Sequence, residues 1–171
     1  MQKYTVIETD LFLKNLKEIN WDGFKCPDGY NSTEPPFYIE KLLKIEIESE
    51  KWTIYNSVIY SIGNNHAGSY YLPIEKALPF IFQIAFEGQS ELARNCSLEI
   101  LTDILCSFSA ELVDGDEADC ENLDNRVRMF YHKHIGDFKI VSIRTNESER
   151  NKDLAIGIIE AIDEITNSLD Q

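Results

Sequence analysis

Apolar residues recur along this chain every three or four positions, the spacing of helices with one buried stripe. Short breaks rich in glycine, proline and asparagine separate the stripes. Leu11, Phe12, Leu16 and Ile19 make the first stripe, with Thr9 or Asp10 available as its N-cap. Residues 22–36, with two glycines, three prolines and Asn31-Ser32-Thr33, read as a loop. A helix is then predicted from about Phe37 to Ile47, burying Ile39, Leu42 and Leu43. Another runs from about Glu50 to Ile62, burying Ile54, Tyr55, Val58, Ile59 and Ile62, with Gly63 as a left-handed terminator.

The stretch Gly63-Asn64-Asn65-His66-Ala67-Gly68-Ser69 interrupts two apolar runs, and its glycines suit a turn between helix pairs. From Leu72 to Phe86 the pattern is again helical, with Pro73 fitting a first turn. Pro79 lies deeper, where it kinks a helix or marks the start of a new one. After Gly88, residues 91–108 form an amphipathic helix whose stripe is Ala93, Cys96 or Ser97, Ile100, Leu101, Ile104, Leu105 and Phe108. Residues 111–124 hold seven acids and no base. A mixed helical segment follows around residues 125–135, the β-branched run at residues 137–144 predicts a short strand, and a last helix spans about Ser148 to Ser168. Its stripe is Leu154, Ala155, Ile158, Ile159, Ile162 and Ile165.

The stripes repeat. Pro36-Phe37 recurs as Pro79-Phe80 after 43 residues, and Ile54, Val58, Ile59 and Ile62 align with Cys96, Ile100, Leu101 and Ile104 after 42. A period near 40 made of helix pairs predicts an all-α fold of HEAT or armadillo type, an α-solenoid of about three pairs in which each pair buries its second face on a neighbour. One domain then covers residues 1–171: a cap and loop over 1–35, a first unit over 36–70, a second over 71–110 and a degraded third over 111–171. An irregular helical bundle fits the same stripes.

Charge narrows the partners. Sixteen basic against 30 acidic residues leave a formal charge of −14, which repels nucleic-acid phosphates and anionic membrane surfaces and favours a basic macromolecule. No run approaches the roughly 20 apolar residues of a membrane helix, and the acids within the first stretch leave no signal-peptide core. Cys26, Cys96, Cys106 and Cys120 show no Cys-x-x-Cys spacing and read as free thiols of a cytoplasmic protein.

The candidate chemical groups are few. His66 has no nucleophile or acid at a telling spacing, so a loop histidine bonded to backbone is the simpler reading. His132 and His134 fall about 200° apart on a helix and cannot share one ion there, with or without Cys120 or Asp119. Residues 114–121 lack the glycine and glutamate positions of a calcium loop. No metal, cofactor or catalytic group is expected, and no phosphate loop or nucleophile elbow is present. Asp114, Asp116, Glu117, Asp119, Glu121 and Asp124 read either as a solvated linker or as a lure for a cationic partner. Tyr70 and Tyr71 are candidates for the same interface or for packing at the repeat corner.

Residues 36–108 resemble bacterial HEAT-like helical repeat proteins. The matching stretches are Ile39-Glu-Lys-Leu-Leu43, Ser49-Glu-Lys-Trp-Thr-Ile-Tyr-Asn-Ser-Val-Ile59, His66-Ala-Gly-Ser-Tyr-Tyr71 and Ile74-Glu-Lys-Ala-Leu-Pro-Phe-Ile81, with Ala-Leu-Pro-Phe the most specific. Such proteins are similar to immunity proteins of toxin systems, including contact-dependent growth inhibition. The resemblance implies a small cytoplasmic non-enzyme that binds and neutralises a cognate basic toxin, a nuclease above all, by blocking its active site. A HEAT-like scaffold or adaptor without a toxin partner is the alternative.

Overall fold

The computed structural model describes the backbone of residues 6–169 and the side chains through residue 167. The final part of the last predicted helix, from Ser168, therefore lies outside the described side chains, and the reading of the first stretch lies partly outside at residues 1–5. The fold is mostly helical. Its helices are α1 (Thr9–Glu18), α2 (Glu34–Leu43), α3 (Lys51–Ile62), α4 (Ile74–Glu87), α5 (Glu91–Cys106), α6 (Glu117–Lys133), α7 (Ile135–Ser142) and α8 (Glu149–Leu169). Among the described residues, three two-residue strands, β1 (Gly63–Asn64), β2 (Ser69–Tyr70) and β3 (Ser109–Ala110), make a small sheet with β2 in the middle.

The helices pack in consecutive pairs: α2 on α3, α4 on α5, and α7 on α8. The second members then lie side by side. Lys51 and Tyr55 of α3 reach Glu99 and Asp103 of α5, four residues on in each helix, so α3 and α5 run parallel. Arg94 and Glu99 bind Glu147 and Arg150 at the head of α8, placing it along α5. All eight residues that align at the 42-residue step are buried. One contiguous core extends from Ile7 through Ile162, and fully burying each large aliphatic side chain contributes about 1.5–3 kcal/mol. Helix α1 closes over the first layers: Phe12 meets the Phe80 ring edge-on at 5.2 Å, and Ile7 N–H donates to Glu87 O at 3.3 Å.

Several local expectations are corrected. Residues 137–144 are not a strand; α7 occupies Ile135–Ser142, because Phe138 and Val141, three positions apart, are both buried where a helix packs on α8. Tertiary burial overrides the β-branched preference here. Helix α2 starts at Glu34, so both prolines of its first turn lie inside it, and Ile45 is buried in the extended link that follows Leu43. Thr9 and Asp10 sit inside α1, whose N-cap is Glu8. Helix α4 continues through Pro79, six residues in, whereas Pro36 lies in the first turn of α2, so the two Pro-Phe corners are not equivalent.

The stretch 63–69 is a hairpin. Asn64 Oδ1 accepts from His66 N–H at 3.1 Å and Ala67 N–H at 3.2 Å, and Gly68 turns the chain at φ +63°. Gly63 is not a left-handed cap: its φ of −174° is extended. Its requirement is room, since a Cβ there would stand 2.2 Å from Ser69 O. β1 pairs antiparallel with β2, and β3 arrives after α5 to pair parallel with β2. The sheet thus fixes where the acidic segment leaves the helical body.

Candidate partner-binding surface

The acidic segment divides into an inward and an outward part. Glu111 N–H donates to Tyr70 O at 2.9 Å, and the Glu111 carboxylate accepts from the Ser69 hydroxyl. Asp124 Oδ1 accepts from Ala110 N–H at 2.7 Å and from the Tyr70 hydroxyl. Tyr70 is 3 % exposed, so as folded it is a clamp within the protein and offers no ring to a partner. Burial first, and then the Asp124 carboxylate, push its hydroxyl far above the ordinary tyrosine range. Tyr71 is half-buried, its hydroxyl raised by burial and then by Glu111.

Between these anchors Asp114, Asp116, Glu117, Asp119 and Glu121 are exposed. Asp114 pairs with Lys25. Asp116 caps α6: its Oδ1 accepts from Asp119 N–H at 2.9 Å, and Asp119 Oδ2 accepts from Asp116 N–H at 3.4 Å. Acids are favoured at a helix N-terminus by the peptide dipoles, which accounts for much of the run. Among the described residues no cation pairs with Asp116, Glu117, Asp119 or Glu121.

Among the described residues the three histidines share no partner. His66 is exposed, its ring edge-on to Tyr60 at 5.4 Å. His132 Nε2 lies 3.2 Å from Thr166 Oγ1. His134 Nδ1 lies 2.8 Å from Asp137 Oδ2, with its ring 4.2 Å from Phe82. Among the described residues no three His, Cys, Asp or Glu side chains gather as a metal site would require. Burial lifts the Cys26 thiol to about 11 and Cys96 to about 12, which disfavours the reactive thiolate. No described helix is long and apolar enough to cross a membrane.

A buried polar chain was not anticipated. Lys51, 1 % exposed, donates to Asn95 Oδ1 at 2.6 Å; Asn95 donates to Asn151 Oδ1 at 2.8 Å; Asn151 donates to Glu147 Oε1 at 2.8 Å. Arg94 closes on Glu147 with two bonds of 2.9 and 3.0 Å. Burial alone would raise the Glu147 carboxyl, but hydrogen bonds from Arg94 and Asn151 and the Arg94 and Arg144 charges hold it below its ordinary value. A sequence signal existed: Lys51 precedes Ile54, Tyr55 and Val58 at helical spacing, a charge on the apolar stripe.

Comparison of the chain with family models, with curated proteins and with solved structures finds no match.

Proposed function

We propose that the protein is a HEAT-like stack of about three helix pairs that binds and neutralises a cognate basic toxin, a nuclease domain foremost, by covering its active site. The observation that carries this reading is the exposure of Asp114, Asp116, Glu117, Asp119 and Glu121 on one short stretch, answered among the described residues by Lys25 alone. A nuclease cleft holds phosphates with Lys and Arg, so a cluster of exposed carboxylates can take the place of phosphate. The charge of −14 adds long-range steering, which speeds association with a cationic partner. The parallel register of α3 and α5, and of α8 along α5, supports the stacked architecture. Such a protector works in the cytoplasm without a cofactor.

The test is co-expression with the basic toxin domain encoded beside its gene, read as colony survival. The wild-type chain should protect, its complex should weaken steeply with salt, and D116N/E117Q/D119N/E121Q should lose protection. Survival and affinity unchanged in that variant overturn the reading. One observation favours the scaffold alternative: Asp116 and Asp119 are already engaged as a helix cap. In that case the quadruple variant lowers stability but leaves every complex recovered from the native cell intact.

A further inference from the structure

At the other end of α3, about 18 Å from the sheet by helix rise, lies a surface of different character. Trp52 is 59 % exposed and Ile47 56 % exposed, one on the first turn of α3 and the other just before it. Isolated exposed leucines are ordinary on protein surfaces; a tryptophan this open is not, and tryptophan leads the residues that anchor interfaces. The Trp52 ring is also held in place. It meets Tyr55 edge-on at 5.4 Å, and the buried Lys51 ammonium lies 5.2 Å from its centroid.

The surroundings specify what can cover it. Glu48 and Glu50 are exposed on the turn that leads into α3 and Glu46 on the link before it, and among the described residues none has an ion-pair partner. The neighbouring cations are engaged elsewhere: Lys44 with Glu40, and both Lys51 and Arg150 with Glu99. Glu46 and Glu48 line a depression of about 280 Å³ with Glu91, Leu92, Asn95, Ser148 and Arg150, between the link that precedes α3 and the N-terminal ends of α5 and α8. A second copy of this chain brings another −14 to the contact, and an anionic membrane repels it. A lysine- or arginine-bearing polypeptide meets no such penalty: its cations gain from the three carboxylates, while the Trp52 ring, which already holds the Lys51 ammonium, offers its exposed area to the partner's apolar side chains.

We propose that the Ile47–Trp52 edge is a docking surface for a basic polypeptide segment carrying apolar side chains among its lysines and arginines. The surface is separate from residues 111–124 and stands whether or not a toxin is the partner of that segment.

The test uses the full chain and a synthetic peptide alternating lysine, leucine and arginine, with a glutamate-for-cation peptide as control. Binding is followed by tryptophan emission and calorimetry; Trp21, 5 % exposed, gives the constant background. We expect saturable binding that moves Trp52 emission, an affinity loss of about tenfold in Trp52→Ala and more in E46Q/E48Q/E50Q, and an unchanged emission response in D116N/E117Q/D119N/E121Q. Circular dichroism of these exposed variants should match wild type. The proposal is overturned if Trp52 emission is unmoved at saturation, if both edge variants bind as wild type, or if the control peptide, a second copy or a phosphatidylserine vesicle shifts Trp52 instead. Loss of toxin protection in the 116–121 variant leaves this result untouched, so the two ideas fail separately.

Discussion

The Lys51 ammonium on α3 stands 2.8 Å from the Glu99 carboxylate on α5, with 1 % of the lysine side chain open to solvent. A charge so enclosed persists because Glu99 and Asn95 offset its desolvation.

Removing it should therefore cost far more than a surface ion pair. Lys51→Ala leaves Asn95 and part of Glu99 unanswered beside a cavity, for an expected loss of about 3–5 kcal/mol. Lys51→Met keeps the packing and should lose less. Urea unfolding of both variants gives the comparison; a loss below about 1 kcal/mol in the alanine variant would show that the pair is solvated after all.

Two glycines should respond in opposite directions. A Cβ at Gly63 meets backbone on β2, 2.2 Å from Ser69 O and 2.8 Å from Tyr70 Cα, so Gly63→Ala should destabilise by roughly 2 kcal/mol or more. Gly157 lies within α8, where an added Cβ would meet nothing within 4 Å, so Gly157→Ala should stabilise by about 1 kcal/mol. Thermal melts of the pair check the signs together.

Acid should weaken the α5–α8 junction through Glu147. Its carboxyl titrates below its ordinary value of 4.5 in the folded chain, so its contribution is complete above that pH. The contribution then disappears as pH falls through the lower folded value. Glu147→Gln should be less stable than wild type at neutral pH and converge towards it in acid, as measured by denaturant midpoints across that range.

Alkali should act through tyrosine. Tyr30, Tyr55, Tyr70 and Tyr131 hydroxyls all lie well above 10, in each case chiefly because of burial. Their stabilising effect is full below pH 10 and erodes above it, because the unfolded chain releases those protons first. The tyrosinate absorbance of these four rings should rise only with unfolding. Titration of these four before any loss of helix signal would contradict this.

The helices were legible because Ile39, Leu42, Val58, Ile59, Ile100 and Leu101 repeat at one spacing, and burial follows that spacing directly. What escaped was decided at a distance. Ile140, Val141 and Ile143 carry strand preference, yet α7 forms because Phe138 and Val141 are buried on the side that packs into the helical body. Gly63 looks like a helix terminator, but its neighbour across β1–β2 is what demands a missing side chain. One missed signal was local: Asp116 and Asp119, which read as a solvated linker or a lure, carry the three-residue spacing of a capping box that opens α6. The bond from Tyr70 to Asp124 spans 54 residues and has no local signature.

That same tyrosine grips both banks of the acidic connection, through its carbonyl to Glu111 N–H and through its hydroxyl to Asp124. Cleavage between Leu112 and Gly115 should accordingly produce two pieces that still co-elute from a sizing column as one particle. New chain termini or a whole inserted module can be placed there without unravelling the helices on either side.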